Sequence, residues 1–498
     1  MNTNHKFALQ RVKNEFEIQQ HKKPHNRYIV VYRSIKKCIE KLELPHDWLL
    51  PSTRLLATEL NLSRTTIIKS YELLLLEKLI VSKTGSGYRV NYLNEDTNKI
   101  KKTQSVIHPD LYPKISEKAI SYLNNISLIN RLSNKNLAFL PGVPPVDIFP
   151  INQWKKLMNT YWRHVKSSGL SYSQSTGLHE LKRSISNYLN ICRNVKCHPE
   201  QIVIVSGSLQ SLYLIANTLL NKNDSVVLEN PIFPNVHSVF KSSQANLIPV
   251  GLDEEGIRLD ELKNISNLKP KILHLTPSNH YPLGTKMTLQ RRFEVLQWAS
   301  ENKAFIIEND YENEIANLTS NIPCIYSLDK EDRTIYMGTF NRLLHPSIRL
   351  GYMVVPNYLI QAVEALQEHS HRFVSPSLQM VMNQFINKNY LYQHLKNAIN
   401  EAKERHEIFI SEFQKECQSM YIHTKDFSSF HIVALFNKET TIEQEKEIIN
   451  QLNNENITAY SLSKCYIKEP VQTGLILGYS SVRTQLIKKE IKKMGKIL

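Results

Sequence analysis

No uninterrupted apolar run in this sequence approaches the roughly 18 residues of a membrane span, so no membrane-crossing helix is expected. The opening residues, Met1-Asn2-Thr3-Asn4-His5-Lys6, lack the apolar stretch of a secretory signal, which points to a cytoplasmic protein. Cysteine is sparse and scattered: Cys38, Cys192, Cys197, Cys324, Cys417 and Cys465 form no C-x-x-C pair. That excludes a disulfide framework or zinc ribbon, expects no metal site, and predicts reduced, mostly buried thiols. No internal repeat is present. What remains is ordinary globular composition, with 41% hydrophobic and 22% charged residues. At 498 residues the chain exceeds what one core organises, and two or more domains are expected.

The net charge is +16, and its distribution is uneven. Residues 1–102 hold 19 Lys+Arg against 10 Asp+Glu, leaving +7 for the other 396 residues. Positive charge concentrated in the first fifth suggests a polyanion-binding head, although a solvated basic tail has the same charge.

Pattern separates those two readings. Apolar residues from Tyr28 to Leu42 recur at helical spacing (Ile29, Val31, Tyr32, Ile35, Cys38, Ile39, Leu42). Leu50-Pro51-Ser52 then precedes a helical run from Thr53 to Leu60, and Ser52 is placed to cap it. A tight turn at Asn61-Leu62 leads to a second run, Arg64 to Leu74, capped by Ser63. Two short capped helices joined by a tight turn constitute a helix-turn-helix, whose second helix enters a DNA groove. The stretch Leu79–Val90, with Gly85-Ser86-Gly87 at its tip, reads as a β-hairpin wing. Leu55, Leu60, Ile67, Leu74 and Leu79 are expected in its core.

The order of helix, Leu-Pro-Ser-x-Arg helix, Ser-Arg-Thr helix and Gly-Ser-Gly wing, across residues 27–91, resembles the GntR winged helix-turn-helix family. The resemblance implies DNA contacts by Arg54, Ser63, Arg64, Thr65, Thr66 and Lys69, with Gly85 and Gly87 in the wing. These residue types suit DNA, because arginine forks to guanine, hydroxyls reach phosphates, and glycine allows close backbone approach. The head is assigned to residues 24–91. Residues 92–114 are polar, Asn/Lys-rich and weakly periodic, and read as a flexible linker with an r.m.s. span of about 25 Å.

Residues 115–498 form the body, opening with a helical pattern from Ile115 to Leu132. Apolar runs then alternate with amphipathic helices: Gln201–Val205, Ser225–Leu228, Lys271–Leu275, Ala304–Glu308, Thr334–Gly338 and Gly351–Val355, with helices such as Leu209–Leu220 and Leu289–Asn302 between them. This argues for an α/β domain on a mostly parallel sheet, about residues 135–365. Longer helices and few strands follow, suggesting a smaller α+β part over about 366–498.

Six junctions carry chemistry: Tyr172–Gly177, Ser206–Gln210, Glu229–Phe233, Thr276–Gly284, Glu308–Tyr311 and Thr339–Arg349. At Ser206–Gln210 a strand meets a helix N-terminus, whose free amides suit a phosphate. In this order the junctions resemble fold-type I pyridoxal phosphate (PLP) aminotransferases, and more closely the MocR group of GntR regulators, which fuse a winged helix-turn-helix to such a domain. The resemblance covers residues 27 to about 480.

By that resemblance Phe233 would stack on the pyridine ring, Tyr311 would face its hydroxyl, and Ser208, Thr339 and Arg349 would hold the phosphate, with Tyr281 in the same site. Two positions depart from the family. Where it has the lysine that forms a Schiff base with the cofactor, this chain has Arg342, and guanidinium cannot be deprotonated usefully in a protein. Asn309, 33 residues earlier, stands where the family has the aspartate that keeps the ring nitrogen protonated. Lys286 and Lys330 lie outside the motif. The segment Gly474–Tyr479 lacks the arginine that binds substrate carboxylate in related enzymes.

The resemblance therefore implies a bacterial-type DNA-binding transcription regulator, a pseudo-aminotransferase rather than an enzyme, that binds double-stranded operator DNA as a homodimer. Its body would serve dimerisation and sensing, without covalent PLP. Noncovalent PLP, another small anionic effector, or no ligand at all stay open, as does an active PLP-dependent aminotransferase carrying a DNA-binding appendage.

Overall fold

A computed structural model describes residues 3–20, 26–83, 87–92, 113–129, 138–316 and 322–498. The chain divides into two compact units, residues 1–113 and 114–498. Gly85 and nearly all of the expected linker lie outside the described residues.

In the first unit, helices α1 (Thr3–Gln20), α2 (Arg27–Glu40), α3 (Thr53–Glu59) and α4 (Arg64–Leu76) are followed by strands β1 (Ile80–Lys83) and β2 (Gly87–Val90). β1 and β2 pair antiparallel, as the wing reading requires. Both expected caps form. Ser52 Oγ accepts from Leu55 N at 3.2 Å, and Ser63 Oγ accepts from Thr66 N at 3.2 Å. The turn between α3 and α4 closes through Asn61 in the left-handed region (φ 50°), which asparagine tolerates well. Leu60, Ile67 and Leu74 are buried as expected, while Leu55 and Leu79 are half-buried.

Helix α1 is an addition to the expected head. Ala8, Val12 and Phe16, spaced four apart, lie in one core with Val31, Ile35 and Leu74. The head therefore begins well before residue 24. The reason is physical: Lys, Arg, Gln and Asn surround a narrow apolar stripe, so the segment resembles a solvated basic tail.

The second unit is built on a seven-stranded sheet in the order 202–205, 351–354, 334–339, 305–309, 272–275, 225–229, 246–250. Only Gly351–Val354 runs antiparallel to its neighbours. Continuous apolar runs such as Ile202-Val203-Ile204-Val205 are buried throughout, because helices cover both faces of the sheet. The edge strand Asn246–Val250 is absent from the sequence expectation; Asn246 and Pro249 interrupt its apolar run.

The smaller part differs from its expected bounds. Helices Ile360–Ser370 and Pro376–Asn387 pack into the cores of the large sheet, through Val363 and through Val381, Met382 and Phe385. Helix Tyr390–Glu416, 27 residues and about 40 Å long, bridges both parts. Leu391 and Leu395 join the large core, and Phe409 and Phe413 join the small one. The small antiparallel sheet has the order 420–422, 432–436, 474–477, 460–461. Phe139 is fully buried in this small core, so the segment before the large domain is a strap belonging to the small one. The helix expected over 115–132 is shorter, Glu117–Asn125, continued by a single 3₁₀ turn.

Candidate functional site

The DNA contacts expected on the two helices of the head are accessible, some of them free and some committed locally. Arg54, Ser63, Arg64, Thr65 and Lys69 are exposed or half-buried, and Thr66 is half-buried. The Ser63 hydroxyl contacts both Thr65 Oγ1 and Thr66 Oγ1 at 2.8 Å, which gathers three hydroxyls at the start of α4. Neither the Arg54 nor the Arg64 side chain has an ion-pair or hydrogen-bond partner among the described residues. Lys69 Nζ lies 5.8 Å from the Tyr28 ring centroid. Gly87 opens β2 at φ 85°, a conformation that favours glycine. The buried frame beneath is hydrogen-bonded: Tyr71 donates to Pro51 O at 2.7 Å, and Ser70 to Tyr28 O at 2.8 Å.

In the body, the ends of the sheet strands surround a cavity of about 210 Å³. Ser208, Phe233, Tyr281, Asn309, Tyr311, Thr339, Arg342 and Arg349, all singled out in the sequence, line it together. Lys286 and Lys330 do not line it, and neither does the Tyr172–Gly177 junction, where Tyr172 is exposed. The strand Gly474–Leu477 lies in the small sheet and carries no arginine.

Each side chain is held by its local structure. Ser208 begins the helix Ser208–Leu219, preceded by Gly207 at φ 126°. A Cβ on Gly207 would stand 2.6 Å from Asn341 Nδ2 and 3.7 Å from the Arg349 guanidinium, so glycine permits these groups to converge there. Thr339 ends its strand, and its hydroxyl accepts from Asn341 N at 3.2 Å. Arg349 is exposed, and its side chain has no partner among the described residues. Free helix amides, two hydroxyls and an unpaired guanidinium make this end suited to an anion.

The other end is aromatic. Phe233 meets Tyr281 edge-on at 4.8 Å between ring centroids, and Tyr281 lies 6.4 Å from Tyr311. The Tyr281 and Tyr311 hydroxyls are buried without a hydrogen-bond partner among the described residues. Burial raises both phenols well above the ordinary tyrosine range, so each keeps its proton. Asn309 makes no side-chain hydrogen bond among the described residues. Its neighbour Asp310 faces away from the cavity, accepting from Arg193 Nε at 2.8 Å and Tyr336 OH at 2.6 Å.

Arg342 occupies the aromatic end. Its guanidinium carbon is 5.4 Å from the Tyr311 centroid and 5.9 Å from that of Phe233. Nη1 pairs with Glu312 Oε1 at 3.2 Å. Glu312 is fully buried, and its second oxygen accepts from Ser429 Oγ at 2.8 Å and Phe430 N at 3.3 Å. The Ser429 hydroxyl also meets His431 Nδ1 at 2.6 Å. Burial drives His431 down to about 4, with Glu312 opposing and Arg342 adding to the shift, so its ring is neutral near pH 7. Gly142 in the strap leaves room for Arg342: a Cβ there would sit 2.4 Å from Nη1.

Gly142, Tyr460 and Asn341 also line the cavity and Glu312 pairs with Arg342, four residues not singled out in the sequence. Glycine among the prolines of Pro141–Pro145 is the one available signal for the strap. Nothing in Asp310-Tyr311-Glu312-Asn313-Glu314 distinguishes the acid that meets Arg342.

Residues 141–474 match the family described as aminotransferase class I and II, and residues 27–90 match the bacterial regulatory proteins of the gntR family. The chain is 28% identical over 464 residues to the probable rhizopine catabolism regulatory protein MocR of Rhizobium meliloti, covering 93% of this chain and 92% of that protein. It is 28% identical over 475 residues to the HTH-type transcriptional regulator YdeL of Bacillus subtilis (strain 168), covering 94% and 96%. Among solved structures, an archaeal alanine:glyoxylate aminotransferase superposes with a TM-score of 0.67 at 21% identity, over 79% of this chain and 98% of that one, a likeness of fold. The family and fold imply PLP binding by resemblance. The chain belongs to the aminotransferase class I and II family and, with its GntR-type head, is a transcription regulator of the MocR/GntR kind.

Proposed function

We propose that this regulator binds its operator as a homodimer through α4 and the wing, and that its body senses a small anionic molecule held without a covalent bond. One observation carries the second half: among the described residues the cavity lining holds two arginines and no lysine. PLP, when bound, supplies an aldehyde for a neutral amine and a ring whose protonated nitrogen withdraws charge; this lining offers neither lysine nor carboxylate to partner them. The phosphate end and the aromatic walls fit a phosphorylated ring, and the unpartnered Tyr311 hydroxyl fits a ring substituent. The residues thus suit noncovalent binding and do not suit covalent attachment. Arg342, at the family's lysine position, and Asn309, at its aspartate position, argue against transamination. PLP as a noncovalent effector is the second reading, favoured by Phe233, Tyr311, Thr339 and Arg349 lining one cavity.

The homodimer rests on two arguments: fold-type I domains pair, and paired half-sites suit two heads. A ligand would act by favouring one arrangement of heads through its differential affinity. The DNA assignment is tested by fluorescence anisotropy on the chain's own promoter region. Arg64→Ala is expected to weaken binding by roughly 1–3 kcal/mol while the body's melting temperature holds. Wild-type binding should fall steeply with salt. Unchanged affinity of the variant would remove α4 from the interface.

A further inference from the structure

Arg342 has more donors than the protein uses. It is only 17% exposed, and among the described residues its hydrogen bonding is confined to Nη1 with Glu312. A guanidinium has five N–H donors in a planar fork. Glu312 is itself fixed from behind by Ser429 and Phe430, so one corner of the fork is pinned and the rest is left for the cavity. At the far end Arg349 is unpaired among the described residues, beside Ser208 and the helix N-terminus. Among the described residues no carboxylate lines the cavity, and the hydroxyls of Tyr281 and Tyr311, both residues more than nine-tenths buried, have no partner.

We propose that the cavity takes a phosphorylated aromatic carboxylate, its phosphate on Arg349, Ser208 and the helix amides, and its carboxylate on Arg342. This deepens the sensing reading above and rests on it. An aldehyde gains no bond from a guanidinium comparable to a Schiff base. A carboxylate at the same ring position matches the planar fork with two charge-assisted hydrogen bonds. Asn309 is consistent with this ligand, since a neutral amide hydrogen-bonds an uncharged ring edge without demanding a protonated nitrogen. Phe233 and Tyr311 give the ring its apolar walls. Glu312 is a positioning residue: it holds the guanidinium in place and leaves the unused edge free.

The test is calorimetric titration of the full-length protein with three probes: inorganic phosphate, pyridoxal 5′-phosphate, and 4-pyridoxic acid 5′-phosphate, in which the aldehyde is oxidised to a carboxylate. The carboxylate is expected to bind roughly tenfold or more tightly than the aldehyde, as a charge-assisted pair to arginine would give. Arg342→Gln should abolish that preference, Arg342→Lys should turn it toward the aldehyde, and Arg349→Gln should weaken all three probes. Aldehyde binding equal to or tighter than the carboxylate, or an unchanged preference in folded Arg342→Gln protein, overturns the proposal. Operator affinity measured without ligand on the same samples stands or falls with Arg64, so failure of the DNA-binding reading is seen separately.

Discussion

The head and the aromatic end of the body's cavity use arginine in opposite ways. On the head, Arg54 and Arg64 stand unpaired among the described residues, on helices whose first turns are fixed by serine caps. In the cavity, Arg342 is partly buried, pinned by Glu312, flanked by two aromatic rings, and accommodated by a glycine far earlier in the chain. The difference is one of scale. A polyanion surface needs cations presented on a rigid local frame, and short-range capping provides that frame. A small-ligand site needs enclosure, which only residues distant in sequence can supply.

The comparison breaks first at α1. If the head is a unit that includes α1, Phe16→Ala should cost it roughly 3 kcal/mol, as removal of a buried phenyl ring does. Two-step thermal unfolding should show the head melting earlier and the body unmoved. An unaltered head transition would return α1 to the status of a tail.

Gly142 tests the enclosure. It sits at φ 78°, and an added Cβ would collide with Arg342. Gly142→Ala should cost the body roughly 1–2 kcal/mol from the left-handed backbone alone, plus the displaced guanidinium. Adding Arg342→Ala should recover only the steric part. Full recovery would show that the backbone conformation carries no cost there.

Acid should separate the two units by a smaller effect. Burial lowers His274 and His280 to about 3 and His237 and His431 to about 4. Below pH 6.5 the unfolded body therefore binds more protons than the folded one, and stability is lost as pH falls from 6.5 toward 4. Glu229, raised to about 7 by burial, acts oppositely and destabilises as pH rises from 4.5 to 7. Glu308 and Glu314, also raised to about 7 by burial, act in the same sense as Glu229. Burial also lowers His345, His394, His406 and His423, so the lowered histidines outnumber these three acids. In the head, burial raises Glu15, but hydrogen bonds from Lys37, Gln19 and Lys41 outweigh it and bring the carboxyl to about 2. Its contribution is present above pH 4.5 and lost only as pH falls toward 2. Differential scanning calorimetry at pH 7 and pH 5 should show the body's transition falling by a few degrees and the head's holding.

Legibility followed the same division of scale. Ser52, Ser63 and the Gly-Ser-Gly tip announce the winged helix-turn-helix because capping and turn chemistry act within three or four residues. The buried strands are readable for a related reason: parallel strands covered on both faces are continuous apolar runs. The cavity residues from Ser208 to Arg349 are legible because they sit at strand ends, where resemblance to a known motif order can locate them. Glu312 and Gly142 are not legible. Their roles arise from proximity to Arg342 after folding, and neither carries a local mark of it. Helix α1 and the strap at Phe139 fail similarly, each having an apolar stripe too short to stand out from a polar stretch.

The central claim is that the body keeps an aminotransferase fold without its covalent chemistry. It is tested most directly by incubating the full-length protein with excess pyridoxal 5′-phosphate, reducing with borohydride and weighing the intact chain. No stable pyridoxyl adduct is expected in the cavity of the wild type, while Arg342→Lys combined with Asn309→Asp should gain one. An adduct on the wild-type chain that maps to a cavity residue would contradict the account.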